Sequence, residues 1–303
     1  MGTVVAVDQG KSGTRAEARV ESGASVHGRS PGSVLGSTGA DAVIDAVTSL
    51  RLPSPPAVVS VGTTAAPETQ DGRAMLAAEL RERLGAGRVL VTEDAVTAHL
   101  GAFRGTPGVV VSAGTGAIAL WSDGVTSVRI DGWGPILGDH GGGVDIGGAG
   151  LRAAYSAVDG RGPSTSLVEP ARAHLGGLGL DAARRLQAAA NPAEVVSEFA
   201  VEVLKAASEG DAVAGRIVMR AANDLAVSAA LAARPALEVG SRPRCCVVGQ
   251  LTRNAFLREV FADSAARLGL AVDPAPAGSL AGAMYLAVNG PTIAFASLIG
   301  TAL

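Results

Sequence analysis

Apolar positions in this chain form short runs closed by glycine or threonine, separated by longer segments in which they recur at helical spacing. Thr3–Val7 is a continuous apolar run, as in a buried central strand. Asp8 to Thr14 reads as the turn after it. Arg15–Val20 alternates, with Ala16, Ala18 and Val20 on one side, and predicts the hairpin partner. His27–Ser37 is rich in Gly, Ser and Pro and reads as a loop. Gly39–Leu50 spaces Ala42, Val43, Ala46, Val47 and Leu50 as a helix does. Ala57–Val61 predicts a buried strand ending at Gly62-Thr63-Thr64. Met75–Leu84 predicts a helix stopped by Gly85, Arg88–Thr92 a strand, and Ala95–Phe103 a helix. Asp94 is therefore expected at a strand's carboxyl end and as the cap of a helix, on the edge where open α/β sheets collect ligands.

Gly105-Thr106-Pro107-Gly108 is the expected domain boundary. Val109–Ser112 and Ala117–Trp121 predict two strands around Gly114-Thr115-Gly116. Gly147–Val158 begins a helical region, and residues 164–238 read as largely helical and alanine-rich, over 167–175, 181–189, 192–208 and 210–234. Arg244–Val248 predicts a strand, Asn254–Leu268 an amphipathic helix and Leu270–Pro274 a last short strand. Ala277–Val288 predicts a small-residue helix and Thr292–Leu303 a terminal helix. Alternating strands and helices imply an α/β protein. Each half opens with a strand, a Gly/Thr turn and a second strand. The expected domains are 1–106, joined by a C-terminal helix at 291–303, and 107–290 with a helical insertion.

Composition narrows the function classes. Hydrophobic residues make up 48% of the 303, aromatics only 3%, and there are 41 glycines, so Ala, Val and Leu must build a core of closely packed helices and sheets. A net charge of -3 supports neither a nucleic acid nor an anionic membrane as partner. The two cysteines, Cys245 and Cys246, are adjacent and read as small core residues in a reducing compartment. The opening MGTVVAVDQG reads as a strand rather than a signal peptide. No apolar run reaches the roughly 20 residues that span a bilayer. These readings lead to an expectation of a soluble, cytoplasmic protein.

The candidate chemistry lies in five places. Asp8-x-Gly10-x-x-x-Thr14 could wrap a terminal phosphate, with Asp8 holding Mg²⁺ through water and Lys11 adding charge; taken alone it is also an ordinary Asp-Gly hairpin turn. Gly114-Thr115-Gly116 brings bare backbone N–H groups and one hydroxyl to a point, which suits a phosphate, although a plain hairpin reads the same way. Asp94 is either an N-cap or a base that takes a sugar hydroxyl's proton. Gly132-Trp133-Gly134-x-x-x-Gly138-Asp139-His140-Gly141-Gly142-Gly143 has glycines so dense that backbone must approach something, with Asp139 and His140 as its polar tips. Val247–Leu251 with Leu280–Ala283 could lie against an adenine ring. No Walker A lysine motif, no Gly-x-Gly-x-x-Gly after the first strand and no Gly-x-Ser-x-Gly occurs.

Asp8-x-Gly10-x-x-x-Thr14, Asp94-Ala95, Gly114-Thr115-Gly116 and above all GWGPILGDHGGG (132–143) resemble the N-acetylglucosamine kinase/BadF-type ATPase branch of the sugar kinase–actin–Hsp70 superfamily. The likeness runs from residue 3 to about 290. DGRGPST (159–165) also looks like bacterial members of this branch, and the chain as a whole resembles actinobacterial glucosamine kinases. The resemblance implies two ribonuclease-H-like, actin-like ATPase domains with an interdomain cleft, and a homodimer using ATP and Mg²⁺ on an amino sugar. It makes Asp94 the base, Asp8 the metal residue, and Gly10, Lys11, Ser12, Thr14, Thr115 and Gly116 phosphate contacts. Gly249 and Gln250 would flank adenosine, and Ser33, Asp94, Thr115, Gly116, Asp139 and His140 would meet the sugar. Three positions depart from the family's pattern: His140 stands where relatives usually have Glu, Glu93 where they often have Asn, and Ala117 where Ser is frequent. A carboxylate at Glu93 favours a cationic amino sugar. The leading expectation is glucosamine 6-phosphate formation. N-acetylglucosamine kinase and a non-catalytic ATP- and sugar-binding sensor are the alternatives. An activator of a radical dehydratase would need separated cluster-ligating cysteines, which this chain lacks.

Overall fold

A three-strand meander opens each half of the chain, and two further strands are added on its other side. The computed structural model describes residues 2–11, 13–20, 24–32, 39–274 and 277–303. In chain order the elements of the first half are β1 (Val4–Gly10), β2 (Gly13–Arg19), β3 (Ser25–Ser30), α1 (Ala40–Thr48), β4 (Val58–Thr63), α2 (Gln70–Leu84), β5 (Arg88–Glu93) and α3 (Asp94–Phe103). The second half begins with β6 (Gly108–Ala113), β7 (Ala117–Ser122), β8 (Ser127–Asp131) and α4 (Gly143–Val158). It continues with α5 (Val168–Leu175), α6 (Leu180–Gln187), α7 (Pro192–Glu198), α8 (Ala200–Ser208), α9 (Ala212–Ala232) and α10 (Arg234–Glu238). Then follow β9 (Arg244–Val248), α11 (Ala255–Arg267), β10 (Ala271–Val272), α12 (Ser279–Asn289) and, after a 3-10 turn over Ile293–Leu298, β11 (Gly300–Ala302).

One sheet runs β11-β5-β4-β1-β2-β3 and the other β10-β9-β6-β7-β8. Setting β11 aside, the two have the same order, so the echo seen in the sequence is a repeat of connectivity. The chain divides into two units, Met1–Val110 with Leu120–Val128 and Ala275–Leu303, and Val111–Ala119 with Arg129–Pro274.

In the first unit β1 pairs in parallel with β4 and β4 with β5, while β2 lies antiparallel to β1. The strand period of two sends Val5 and Val7 to one face, where they meet Val43, Val47, Leu76 and Leu80 of α1 and α2. Val4 and Ala6 face the other way, onto Ala283, Met284 and Ala287 of α12. Leu80 is fully buried, and truncating it to Ala costs about 2–5 kcal/mol. Helices α12 and α3 approach backbone to backbone: a Cβ on Gly282 would lie 1.7 Å from the Thr97 carbonyl oxygen. The same residue of α3 lies against β4, where a Cβ on Gly62 would fall 2.2 Å from Thr97 Oγ1.

Several elements differ from their sequence reading. The helix at 279–289, read with the second domain, packs on β1 of the first sheet. The segment 291–303 is not a helix. The Ser297 carbonyl accepts from the buried Arg73 at 3.0 Å and the Leu298 carbonyl from Thr92 Oγ1 at 2.9 Å, and residues 300–302 pair with β5 as an edge strand. The predicted loop 27–37 begins inside β3, whose polar composition hides an edge strand. The predicted helix 192–208 is two helices that break at Phe199. In the second unit Asp211 caps α9 through the N–H groups of Val213 and Ala214, and also accepts from Ser166 N–H at 2.6 Å. Among the described residues no helix is long and apolar enough to cross a membrane.

Candidate functional site

Two groups of residues carry the expected chemistry, one in each unit. In the first, β1 runs past Asp8 to Gly10, and the ladder pairs Asp8 with Arg15, Gln9 with Thr14 and Gly10 with Gly13. The turn is thus shorter than the sequence suggests, with Lys11 exposed at its tip and Gly10 half-buried. Asp8 is nearly buried and ion-paired with Arg15, its cross-strand neighbour. The Thr14 hydroxyl, expected to close a phosphate turn, donates to the Pro31 carbonyl at 2.8 Å. Gln9 is fully buried; its amide donates to the Gly39 carbonyl at 2.7 Å and accepts from Thr63 Oγ1 at 2.6 Å. Ser12 and Ser33, both site candidates, lie outside the described residues.

Asp94 is the first residue of α3. The N-cap position falls one residue earlier than the sequence suggests, on Glu93, whose backbone is still extended (φ −66°, ψ 148°) and whose side chain makes no capping bond. Asp94 keeps an accessible edge but is packed about by protein. Burial, then the negative charges of Asp8 and Glu93, push its carboxyl up to about 7, against the opposing pull of the Ala95 N–H and Lys11. A carboxyl in that range exchanges protons near neutral pH. A divalent cation at Asp8 would share its carboxylate with Arg15, which already pairs with it. Among the described residues no set of three or more His, Cys, Asp or Glu side chains could hold a metal alone. Asp8 would therefore contribute one carboxylate alongside phosphate oxygens, as is usual for Mg²⁺.

The second group surrounds the turn between β6 and β7. Gly114 N–H donates to the Gly116 carbonyl at 2.9 Å, and the first amides of α4 are spent on the same turn: Gly143 N–H on the Gly114 carbonyl at 2.8 Å and Val144 N–H on that of Thr115 at 3.0 Å. Gly249 abuts the end of β6, where a Cβ would lie 2.1 Å from the Ala113 carbonyl oxygen. Gln250 follows, exposed, just before the 3-10 turn over Leu251–Arg253. Asp139 is buried with a left-handed backbone (φ 60°), and its carboxylate lies 2.3 Å from where a Cβ on Gly116 would be. Thr115, Gly116, Asp139 and Gly249 therefore lie around one turn. The His140 side chain is mostly exposed, and its Nδ1 is 3.3 Å from an Asp131 carboxylate oxygen.

Three residues of these groups escape sequence reading. Arg15 is visible only once the hairpin register is known, Gln9 is masked by its neighbours Asp8 and Gly10, and Asp131 precedes the glycine-dense stretch without a motif of its own. The cysteines are free and buried; burial raises both thiols, Cys246 to about 11, so neither is a ready nucleophile.

The profile of the BadF/BadG/BcrA/BcrD ATPase family matches residues 17–284. A 110-residue segment is 34% identical to the N-acetylmuramic acid/N-acetylglucosamine kinase of Clostridium acetobutylicum, covering 36% of each chain. A 64-residue segment is 48% identical to the N-acetyl-D-glucosamine kinase of Dictyostelium discoideum, covering 20% of each. Both alignments thus span well under two thirds of those relatives' lengths. Among solved structures, a protein of Chromobacterium violaceum assigned as an N-acetylglucosamine kinase superposes with TM-score 0.76 at 23% identity over 94% of this chain and 99% of its own. A ROK-family glucokinase of Streptomyces griseus, solved with glucose and AMPPNP, gives 0.61 at 20% identity over 95% and 100%. At these identities the superpositions establish the fold, that of the actin-like ATPases.

Proposed function

Because the chain belongs to the BadF/BadG/BcrA/BcrD ATPase family, we propose that it is an ATP-dependent hexosamine kinase acting on the 6-hydroxyl of D-glucosamine, with Asp94 as general base. The observation that carries the reading is the Asp94 carboxyl, pushed up to about 7 at the end of a parallel strand. Such a group is largely ionised slightly above neutrality and still basic enough to accept a hydroxyl proton. Asp94 takes the proton as the sugar oxygen forms its bond to the γ-phosphorus and the bond from phosphorus to the ADP oxygen breaks. Gly10 and Lys11, with the amides and hydroxyl of Thr115–Gly116, are assigned to the phosphates, Gly249 and Gln250 to adenosine, and Asp139 to the sugar. Mg²⁺ at Asp8 would neutralise charge on the phosphates when bound.

Glucosamine is preferred over N-acetylglucosamine because Glu93 adds negative charge beside Asp94, which attracts a protonated amine. The names of the two curated relatives favour N-acetylglucosamine, and that is the competing reading. An ADP-coupled assay over glucosamine, N-acetylglucosamine, mannosamine and glucose decides between them. Highest kcat/KM on glucosamine supports the proposal, and highest on N-acetylglucosamine replaces its substrate. ATP turnover that no sugar stimulates overturns the kinase assignment in favour of a sensor.

A further inference from the structure

Asp131 ends β8 with a left-handed backbone (φ 65°) and is 8% exposed. One carboxylate oxygen accepts the Gly132 N–H at 2.8 Å and the Asp139 N–H at 2.7 Å. The other accepts the His140 N–H at 2.9 Å and faces His140 Nδ1 at 3.3 Å. This one side chain thereby closes the loop 132–140 at its base, joining its first residue to its last two. Asp139 is held in turn: Gly134 N–H donates to its carboxylate at 3.3 Å, and Gly116 lies against the same group. The fit is tight, since a Cβ on Gly138 would fall 2.2 Å from an Asp131 oxygen. Burial would raise the Asp131 carboxyl, but the N–H groups of Asp139, His140 and Gly132 and the His140 ring outweigh it and hold it below the usual carboxylate range. The anchor is therefore a full negative charge with its acceptors used, unsuited to proton transfer and suited to fixing backbone.

We propose that Asp131 is a positioning residue that fixes Asp139 for the sugar by tying the Asp139 and His140 amides to the base of the loop. The proposal rests on the hexosamine kinase reading. It gives the His140 ring a partner at the base of the same loop.

The test is Asp131→Asn in the full chain. The amide retains the shape but turns an N–H toward the His140 N–H, so one acceptor becomes a clash of donors. Sugar KM should rise at least about tenfold, with ATP KM within about twofold and kcat within about threefold. The chain has two tryptophans, Trp121 buried and Trp133 69% exposed within the loop. A Trp121→Phe background therefore reports the loop, and the sugar concentration that half-saturates its emission change should rise with KM. Should Asp131→Asn fail to fold, Gly138→Ala, which crowds the same carboxylate, takes its place with the same expected split. A sugar KM within twofold of wild type, or parallel rises in both KM values, overturns the positioning role while leaving the kinase reading intact. A wild type that phosphorylates no sugar overturns the kinase reading and this role with it.

Discussion

Asp94 in the first unit and Asp131 in the second both stand at strand ends in sheets of matching connectivity, and their surroundings hold them in opposite states. Asp94 is packed about by protein and repelled by Asp8 and Glu93, so its proton is retained up to about 7. Asp131 is also buried, yet its oxygens receive the N–H groups of Gly132, Asp139 and His140, so its proton is lost early. Burial alone does not decide which carboxyl can act as a base. The number of donors aimed at the charged form decides it, and that number is set by the turn after the strand. Where the chain enters a helix directly, as at Asp94, the carboxyl meets few amides. Where it enters a glycine-dense loop with left-handed residues, as at Asp131, the amides converge.

The largest effect expected from breaking this contrast is on chemistry. Asp94→Asn should lower kcat by about 10²–10⁴-fold on the preferred sugar while ATP affinity, measured by calorimetry, stays within about threefold. Near-normal turnover in that variant would remove Asp94 from the base's role. Next comes Asp139 and its support: Gly116→Ala, whose Cβ would lie 2.3 Å from the Asp139 carboxylate, should raise sugar KM about tenfold or more in steady-state assays.

Stability effects are smaller and opposite in sign at the two sites. The folded pKa of Asp94 lies above its ordinary 3.8, so the native state binds the extra proton. Stability therefore falls as pH rises from about 4 to 7, and Asp94→Asn should gain on the order of 1–3 kcal/mol at pH 8 in urea melts. Asp131 has the reverse sign: its stabilisation is present above its unfolded value and is lost as pH falls through its lower folded one. Asp131→Asn should thus lose stability at neutral pH, and a gain there would contradict the anchoring account.

His99 gives the smallest expected effect and serves as a control, being buried with no charged partner in contact among the described residues. Burial lowers its pKa to about 4, against the bond of its Nε2 with the Gly108 carbonyl. Its folded pKa lies below the unfolded one, so the stability of the neutral form is lost as pH falls from about 6.5 toward 4. Replacement by Gln should flatten that limb by on the order of 1 kcal/mol at pH 5, read from thermal melts.

Much of this could be read from the residues, and what could not has a physical reason. The central strands were legible because burial on both faces writes a continuous apolar run, as at Thr3–Val7 and Ala57–Val61. The place of Asp94 between a strand and a helix was legible from the apolar runs on either side, while its role stayed open between a cap and a base. β3 and β11 were not: an edge strand needs only one partner, and neither Ser25–Ser30 nor Gly300–Ala302 carries an apolar pattern. The commitments of Thr14 to Pro31 and of Gln9 to Gly39 and Thr63 depend on residues 17 to 54 positions away, beyond any local motif. Asp131 carries no local signal for a related reason, since its partners Asp139 and His140 become neighbours only when the loop 132–140 closes on itself.

The central claim, that Asp94 is a base poised near neutrality by its surroundings, is tested most directly by carbon NMR of its side-chain carboxyl. The resonance is assigned by its loss in Asp94→Asn and followed from pH 4 to 9 in the ligand-free protein. The account predicts a midpoint near 7 that moves down when Asp8 or Glu93 is made neutral. A midpoint in the ordinary carboxylate range, unmoved by those changes, would contradict it.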